Sequence, residues 1–92
     1  MLEKIKLLLP DILNKFNLKT IGIFGSYANG TATNESDVDI LVEFEGYVGW
    51  SLIDLKLYLE NVLEKRVDLV TPSAIKPSIG KHILKNIIFL KK

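Results

Sequence analysis

Between Thr20 and Phe44 the chain reads TIGIFGSYANGTATNESDVDILVEF, and this stretch constrains the fold more than any other. A short apolar run, Thr20 to Phe24, stops at Gly25-Ser26. Ten residues later a second run opens with Asp37-Val38-Asp39 and continues Ile40-Leu41-Val42-Glu43-Phe44. The pattern is that of a strand, a tight turn and a second strand. The Asp-x-Asp start of the second strand must reach Gly25-Ser26 at the end of the first, so the two are expected to run antiparallel.

Alternate side chains of a strand share a face, so Asp37 and Asp39 project together while Val38 and Ile40 face the other way. Two carboxylates that close raise one another's pKa and call for a positive partner. Oxygen ligands without cysteine or clustered histidine suit Mg²⁺ or Mn²⁺ better than zinc. Two such ions, roughly 3.5–4 Å apart, can clamp the attacking and leaving oxygens of a phosphoryl displacement. Gly25 would let the backbone approach a phosphate, and a turn beginning at Ser26 would aim free N–H groups at it. With no histidine nearby in sequence to activate it, Ser26 is expected to bind phosphate and not to act as a nucleophile. A third carboxylate, Asp68, lies in the run Arg66-Val67-Asp68-Leu69-Val70. A charge among those apolar neighbours is costly to bury alone, so a shared metal site is expected, the alternative being an edge-strand residue facing water.

Gly25-Ser26, the ten-residue spacer, Asp37-x-Asp39 and Asp68 together resemble the signature of the polymerase-beta-like nucleotidyltransferase superfamily. The size of the chain, and Val67-Asp68-Leu69-Val70-Thr71-Pro72 after an amphipathic helix, resemble its minimal nucleotidyltransferase (MNT) branch, over roughly Ile12 to Leu90. That resemblance implies an antitoxin paired with a HEPN-domain RNase toxin, silencing it by transfer of AMP from ATP to a toxin tyrosine. It also implies that Asp37 and Asp39 hold two Mg²⁺ (or Mn²⁺) ions, with Asp68 completing one site and helping to deprotonate the attacking hydroxyl. In one place the sequence departs from the family pattern: Asn29, in Tyr27-Ala28-Asn29-Gly30, stands where the family commonly has arginine.

The remaining sequence supplies support for this site. At 92 residues a single domain (1–92) is expected. Apolar residues make up 48% of it and mean hydropathy is +0.23, high for so small a chain, so part of the surface is expected to be covered by another subunit. A hetero-oligomer is expected, with a homodimer as a further option. Twelve cationic against eleven acidic side chains leave no basic excess for broad nucleic-acid binding. Arg66 is the only arginine, so bidentate phosphate clamping has little to draw on. The lack of cysteine fits a reducing cytoplasm. No signal-peptide pattern and no apolar run near the ~20 residues of a membrane span are present. With no room for a second domain, the acceptor is expected on another chain.

Leu2, Ile5, Leu8, Leu9, Ile12, Leu13 and Phe16 predict a first helix, with Pro10 kinking it or starting a second piece, and Asn17 as its left-handed end. Tyr27 to Gly30 predicts a single helical turn. Ser51 is expected to cap a helix with Leu52, Leu55, Leu59 and Leu63 on one stripe, ending at Leu63-Glu64-Lys65. A crossover of this kind makes the Asp39 and Asp68 strands parallel. Trp50 is expected to cap a core or sit in an interface rather than lie over a base. Ser78 predicts a last helix bearing Ile79, Ile83 and Ile87, with His82 on its surface, and Ile87 to Leu90 should pack on the core or on a partner. The expected fold is therefore α/β, three or four strands in a mixed sheet with helices mainly on one face. Two functions from different classes remain open: an adenylyl-transferring enzyme, and an antitoxin that neutralises by binding alone. A metal-dependent nuclease would use similar carboxylates but leaves Gly25-Ser26 unexplained.

Overall fold

The computed structural model describes residues 2–46, 51–72 and 86–90. Helix α1 (Leu2–Phe16) buries Ile5, Leu9 and Ile12, one stripe at helical spacing. It spans Pro10 as one element. The ring removes a hydrogen bond to Lys6, but both residues lie on the exposed side, where water can take the freed carbonyl. Asn17 ends the helix at φ 52°. Its amide nitrogen donates to the Glu45 carbonyl (3.2 Å) and its own carbonyl accepts from the Glu45 N–H (3.0 Å). The start of the first strand is thereby tied to the end of the second.

Those strands, β1 (Leu18–Phe24) and β2 (Val38–Phe44), are antiparallel, with Phe24 opposite Asp39 at one end and Leu18 opposite Phe44 at the other. β1 is two residues longer at its start than expected, because Leu18 is itself a buried core residue. Between them lies the short helix α2 (Ser26–Asn29). Helix α3 (Ser51–Leu63) buries Leu55, Leu59 and Leu63, with Leu52 half-buried. Ser51, expected as its cap, is its first residue. The chain leaves α3 through Glu64 at φ 55°, a left-handed residue. It then enters β3 (Val67–Val70), parallel to β2 as expected. The Glu60 carboxylate accepts the Val67 N–H (3.1 Å), fixing where β3 begins. A last strand, β4 (Ile88–Leu90), pairs antiparallel with the free side of β1.

The sheet order is β3-β2-β1-β4. Val38, Ile40 and Val42 of β2, Ile21 and Ile23 of β1, Val67 of β3 and Leu90 of β4 form one cluster with the buried stripes of α1 and α3. Both long helices therefore cover the same face. The expected mixed sheet with helices mainly on one side is met, with four strands. The Ile87–Leu90 run is a strand edge, with Leu90 buried and Phe89 half-exposed. Trp50, the Ser78 cap, Ile79, His82 and Ile83 lie outside the described residues.

Candidate active site

The other face of the sheet carries the acids. On β2 the alternation that sends Val38, Ile40 and Val42 into the core sends Asp39 outward. The parallel register sets Asp39 directly opposite Asp68, and the antiparallel register sets it opposite Phe24, one residue before Gly25. Three chain segments distant in sequence thus meet at Asp39. Its carboxyl is held above the usual carboxylate range, first by burial, then by the negative charges of Asp68 and Asp37.

Asp68 reaches this point by a different route from the one its sequence neighbours suggest. It is exposed, because β3 is an edge strand of the described sheet and the Asp68 side looks away from the helices. The cost of a buried charge among Val67, Leu69 and Val70 therefore does not arise. What places Asp68 beside Asp39 is strand register.

Gly25 has φ 72° and ψ −148°, a conformation open essentially to glycine alone. A Cβ built there would overlap the Asp39 carboxylate. Absence of a side chain at position 25 is thus what lets Asp39 lie against the turn. The Gly25 carbonyl accepts the N–H groups of Ala28 (3.1 Å) and Asn29 (3.0 Å), closing the single turn that starts at Ser26. The expected turn is present. Amides at such a helix start have no partner of their own within the helix. Asn29 is exposed at its end, and Gly30 closes it with a left-handed cap.

Asp37 lies one residue before β2, where the Val38 N–H donates to the Arg66 carbonyl (2.9 Å). Its carboxylate pairs with the Arg66 guanidinium, Oδ1 to Nε 3.2 Å, on the exposed rim. The adjacent cation, Lys65, is turned to the Asn34 carbonyl (2.9 Å). These residues line an open polar cup of about 400 Å³, with Asn34 to Asp37 on one side and Glu64 to Arg66 on the other.

The three predicted carboxylates are therefore brought to one end of the sheet, coupled through Asp39. Among the described residues, no three acidic or histidine side chains already form a cage for a metal ion. Asp37 is engaged by Arg66. The donor set nonetheless fits a hard divalent cation: carboxylate oxygens only, with like-charge repulsion at Asp39 that a cation would relieve. Two contributors were not foreseen. The pairing of Arg66, the lone arginine, follows from the ladder, since stepping back two from Asp39 opposite Asp68 gives Asp37 opposite Arg66. Glu60, which anchors β3, carries no local signal beyond sitting on α3.

Comparison with known proteins agrees with this geometry. The nucleotidyltransferase domain family matches residues 4–90. The chain belongs to that family. It is 42% identical to the protein adenylyltransferase MntA of Thermococcus cleftensis, over 87% of this chain and 82% of the relative. It is also 42% identical to a Methanocaldococcus jannaschii chain named for protein adenylyltransferase activity, over 95% of each. Of solved structures, one bearing the name minimal nucleotidyltransferase superposes with a TM-score of 0.81 at 32% identity, over 95% of this chain and 90% of the other. A crystal structure of a toxin–antitoxin with AMP-PNP matches with a TM-score of 0.77 at 25% identity, over 94% and 72%. The expected polymerase-beta-like fold and minimal nucleotidyltransferase kinship are met. So is the expected enzyme class, protein adenylyl transfer, at the level of the family branch.

Proposed function

We propose that this chain is an antitoxin that transfers AMP from ATP to a tyrosine hydroxyl of a partner HEPN toxin. The observation that carries this is the meeting of Asp39, Asp68 and the side-chain-free turn at Gly25 at one end of the sheet. The names of the relatives support the protein acceptor and the adenylyl group. The toxin–antitoxin structure with AMP-PNP supports the nucleotide and the partner.

In this reading Asp37 and Asp39 bind divalent cations, Mg²⁺ or Mn²⁺ and two per site, and Asp68 completes one of the two sets. When bound, those ions neutralise charge developing at the α-phosphate. Gly25 lets the triphosphate lie close to the backbone, and the turn opening at Ser26 offers it amide N–H groups and a hydroxyl. Asp68, exposed and next to Asp39, accepts the proton of the attacking hydroxyl. The tyrosine oxygen forms a bond to the α-phosphorus, the bond to the bridging oxygen breaks, and pyrophosphate leaves. The acceptor arrives on a second chain. Exposed Ile53 and Leu57, one turn apart on α3, are apolar surface that such a chain could cover. Among the described residues no helix is long and apolar enough to cross a membrane. We place the pair in the cytoplasm, where ATP is supplied.

A binding-only antitoxin is favoured by one observation, the uncharged and exposed Asn29 at the end of α2. Incubation with the cognate HEPN toxin, ATP and Mg²⁺, read by intact mass, separates the two. Toxin heavier by adenylyl units, with the gain abolished by Asp39→Ala, is the expected result. Neutralisation with no mass change would establish the binder.

A further inference from the structure

We propose that Glu60 is a positioning residue of the adenylyl-transfer site, holding β3 from its outer side so that Asp68 stands level with Asp39. The inference rests on the role given to Asp68 above, and extends that role to a side chain outside the acid cluster.

β3 has little else to hold it. It is four residues long, lies at the edge of the described sheet and buries only Val67. Its ladder to β2 uses one side of the strand. The Val38 N–H goes to the Arg66 carbonyl, so in the parallel register Arg66, Asp68 and Val70 turn their backbone groups to β2. Val67 and Leu69 turn theirs outward. The outward N–H of Val67 is the one that the Glu60 carboxylate accepts, at 3.1 Å. The strand is thus tied from both sides immediately before Asp68, by Arg66 to β2 and by Val67 to α3.

Glu60 is well placed to act as that anchor. Its own carbonyl accepts the Glu64 N–H (3.0 Å) in the last turn of α3, and the neighbouring Leu59 and Leu63 are buried. The helix gains no dipole stabilisation from a carboxylate so near its C-terminal end. What the side chain gains is the bond to β3. With that bond removed, the start of β3 is free to shift against β2 and carries Asp68 with it. A misplacement of about 1 Å at a reacting group can cost on the order of a hundredfold in rate. Nucleotide binding draws instead on Gly25, Ser26, Asp37 and Asp39, which belong to β1, α2 and the start of β2. Loss of Glu60 should therefore slow transfer far more than it weakens nucleotide binding.

The test compares the natural chain with Glu60→Ala, Glu60→Asp and Glu60→Gln. It reads transfer to the cognate HEPN toxin at saturating ATP and Mg²⁺ by intact mass, AMP-PNP binding by calorimetry, and hydrogen exchange at the Asp68 amide by NMR. Glu60→Ala should turn over at least about tenfold more slowly while binding AMP-PNP within about threefold of the natural chain. Its Asp68 amide should exchange at least about tenfold faster relative to the amides of β1. Glu60→Asp keeps the charge but is one methylene too short, and should behave like Glu60→Ala. Glu60→Gln keeps an oxygen acceptor at the right reach and should restore most of the rate and of the protection. In an Asp68→Asn background, Glu60→Ala should slow the residual transfer by less than about twofold, because both changes act through one group. Turnover of Glu60→Ala within about twofold of the natural chain overturns the proposal. So do equal losses in Glu60→Ala and Glu60→Gln, full additivity with Asp68→Asn, or unchanged protection of the Asp68 amide. A natural chain that transfers no AMP would instead overturn the reading on which the proposal rests, and the exchange measurement would still decide whether Glu60 holds β3.

Discussion

The two faces of this sheet are written by the same strands in opposite terms. On β2, Val38, Ile40 and Val42 are fully buried beneath α1 and α3, while on the other side Asp39 and Glu43 are partly exposed and Leu41 between them is buried beside Gly22, which abuts Ile87 and Phe89. The covered face has no charged member among the described residues. The other face gathers Asp39, Asp68 and the Gly25 turn at one end, while further along it Thr20 donates to Glu43 (2.8 Å), two polar side chains satisfying each other. Stability is thus concentrated on one side and chemistry on the other, one residue apart along the chain. A side chain can be changed on either face with little direct effect on the other, unless it governs the register or the turn that links them.

The strongest test of that separation is Ile40→Ala. Ile40 is fully buried between Asp39 and Leu41, and truncating such a residue costs about 2–5 kcal/mol. In a domain of this size the melting temperature should fall by roughly 10 °C or more. Nucleotide affinity of the still-folded protein at low temperature should remain within about twofold of the natural chain. A large loss of affinity in the folded fraction would show that the two faces are coupled. Gly25→Ala comes next and is expected to breach the separation. The new methyl collides with the Asp39 carboxylate, and the backbone conformation costs a non-glycine residue on the order of 1–3 kcal/mol. Calorimetry should show nucleotide binding lost with a moderate fall in melting temperature. Full activity in Gly25→Ala would mean that the close approach of turn and acid is dispensable.

How much of this was legible depends on whether a feature is local or arises from register. The alternation of Val38, Asp39 and Ile40, the glycine turn, the left-handed Asn17 and the stripe of Leu55, Leu59 and Leu63 are short-range patterns, and the sequence displays them. So is the antiparallel meeting of β1 and β2, since Asp39 and Gly25 must touch for either to make sense. The exposure of Asp68 was not legible, because Val67, Leu69 and Val70 look like a buried strand until β3 is known to lie at the edge. The pairing of Arg66 with Asp37 spans 29 positions and follows from the ladder alone. β4 is three residues long, too short for its apolar run to declare itself a strand rather than a helix end. What decides each of these is which strand lies beside which, and no single segment contains that information.

The smallest effect is the most specific to the acid-bearing face. The Asp39 carboxyl sits above its ordinary range through burial, then Asp68, then Asp37. At pH values below the usual carboxylate range, about 3.9, the group is protonated whether the chain is folded or not, and its contribution is fully favourable. As pH rises, the unfolded chain releases this proton first. The folded state then binds more protons than the unfolded one, and stability falls until the pH has passed the raised folded value. Asp39→Asn cannot ionise and escapes that loss. In the absence of divalent cations the variant should therefore melt no lower than the natural chain near pH 3.5 and higher at pH 7. Asp39 is only partly buried, so solvent screens the effect and the gain should stay below about 4 °C. Millimolar Mg²⁺ with nucleotide should reverse the order, raising the melting temperature of the natural chain and leaving that of Asp39→Asn where it was. A difference between the two chains that stayed constant from pH 3.5 to 7 would mean that Asp68 and Asp37 do not press on Asp39, and that these acids act singly.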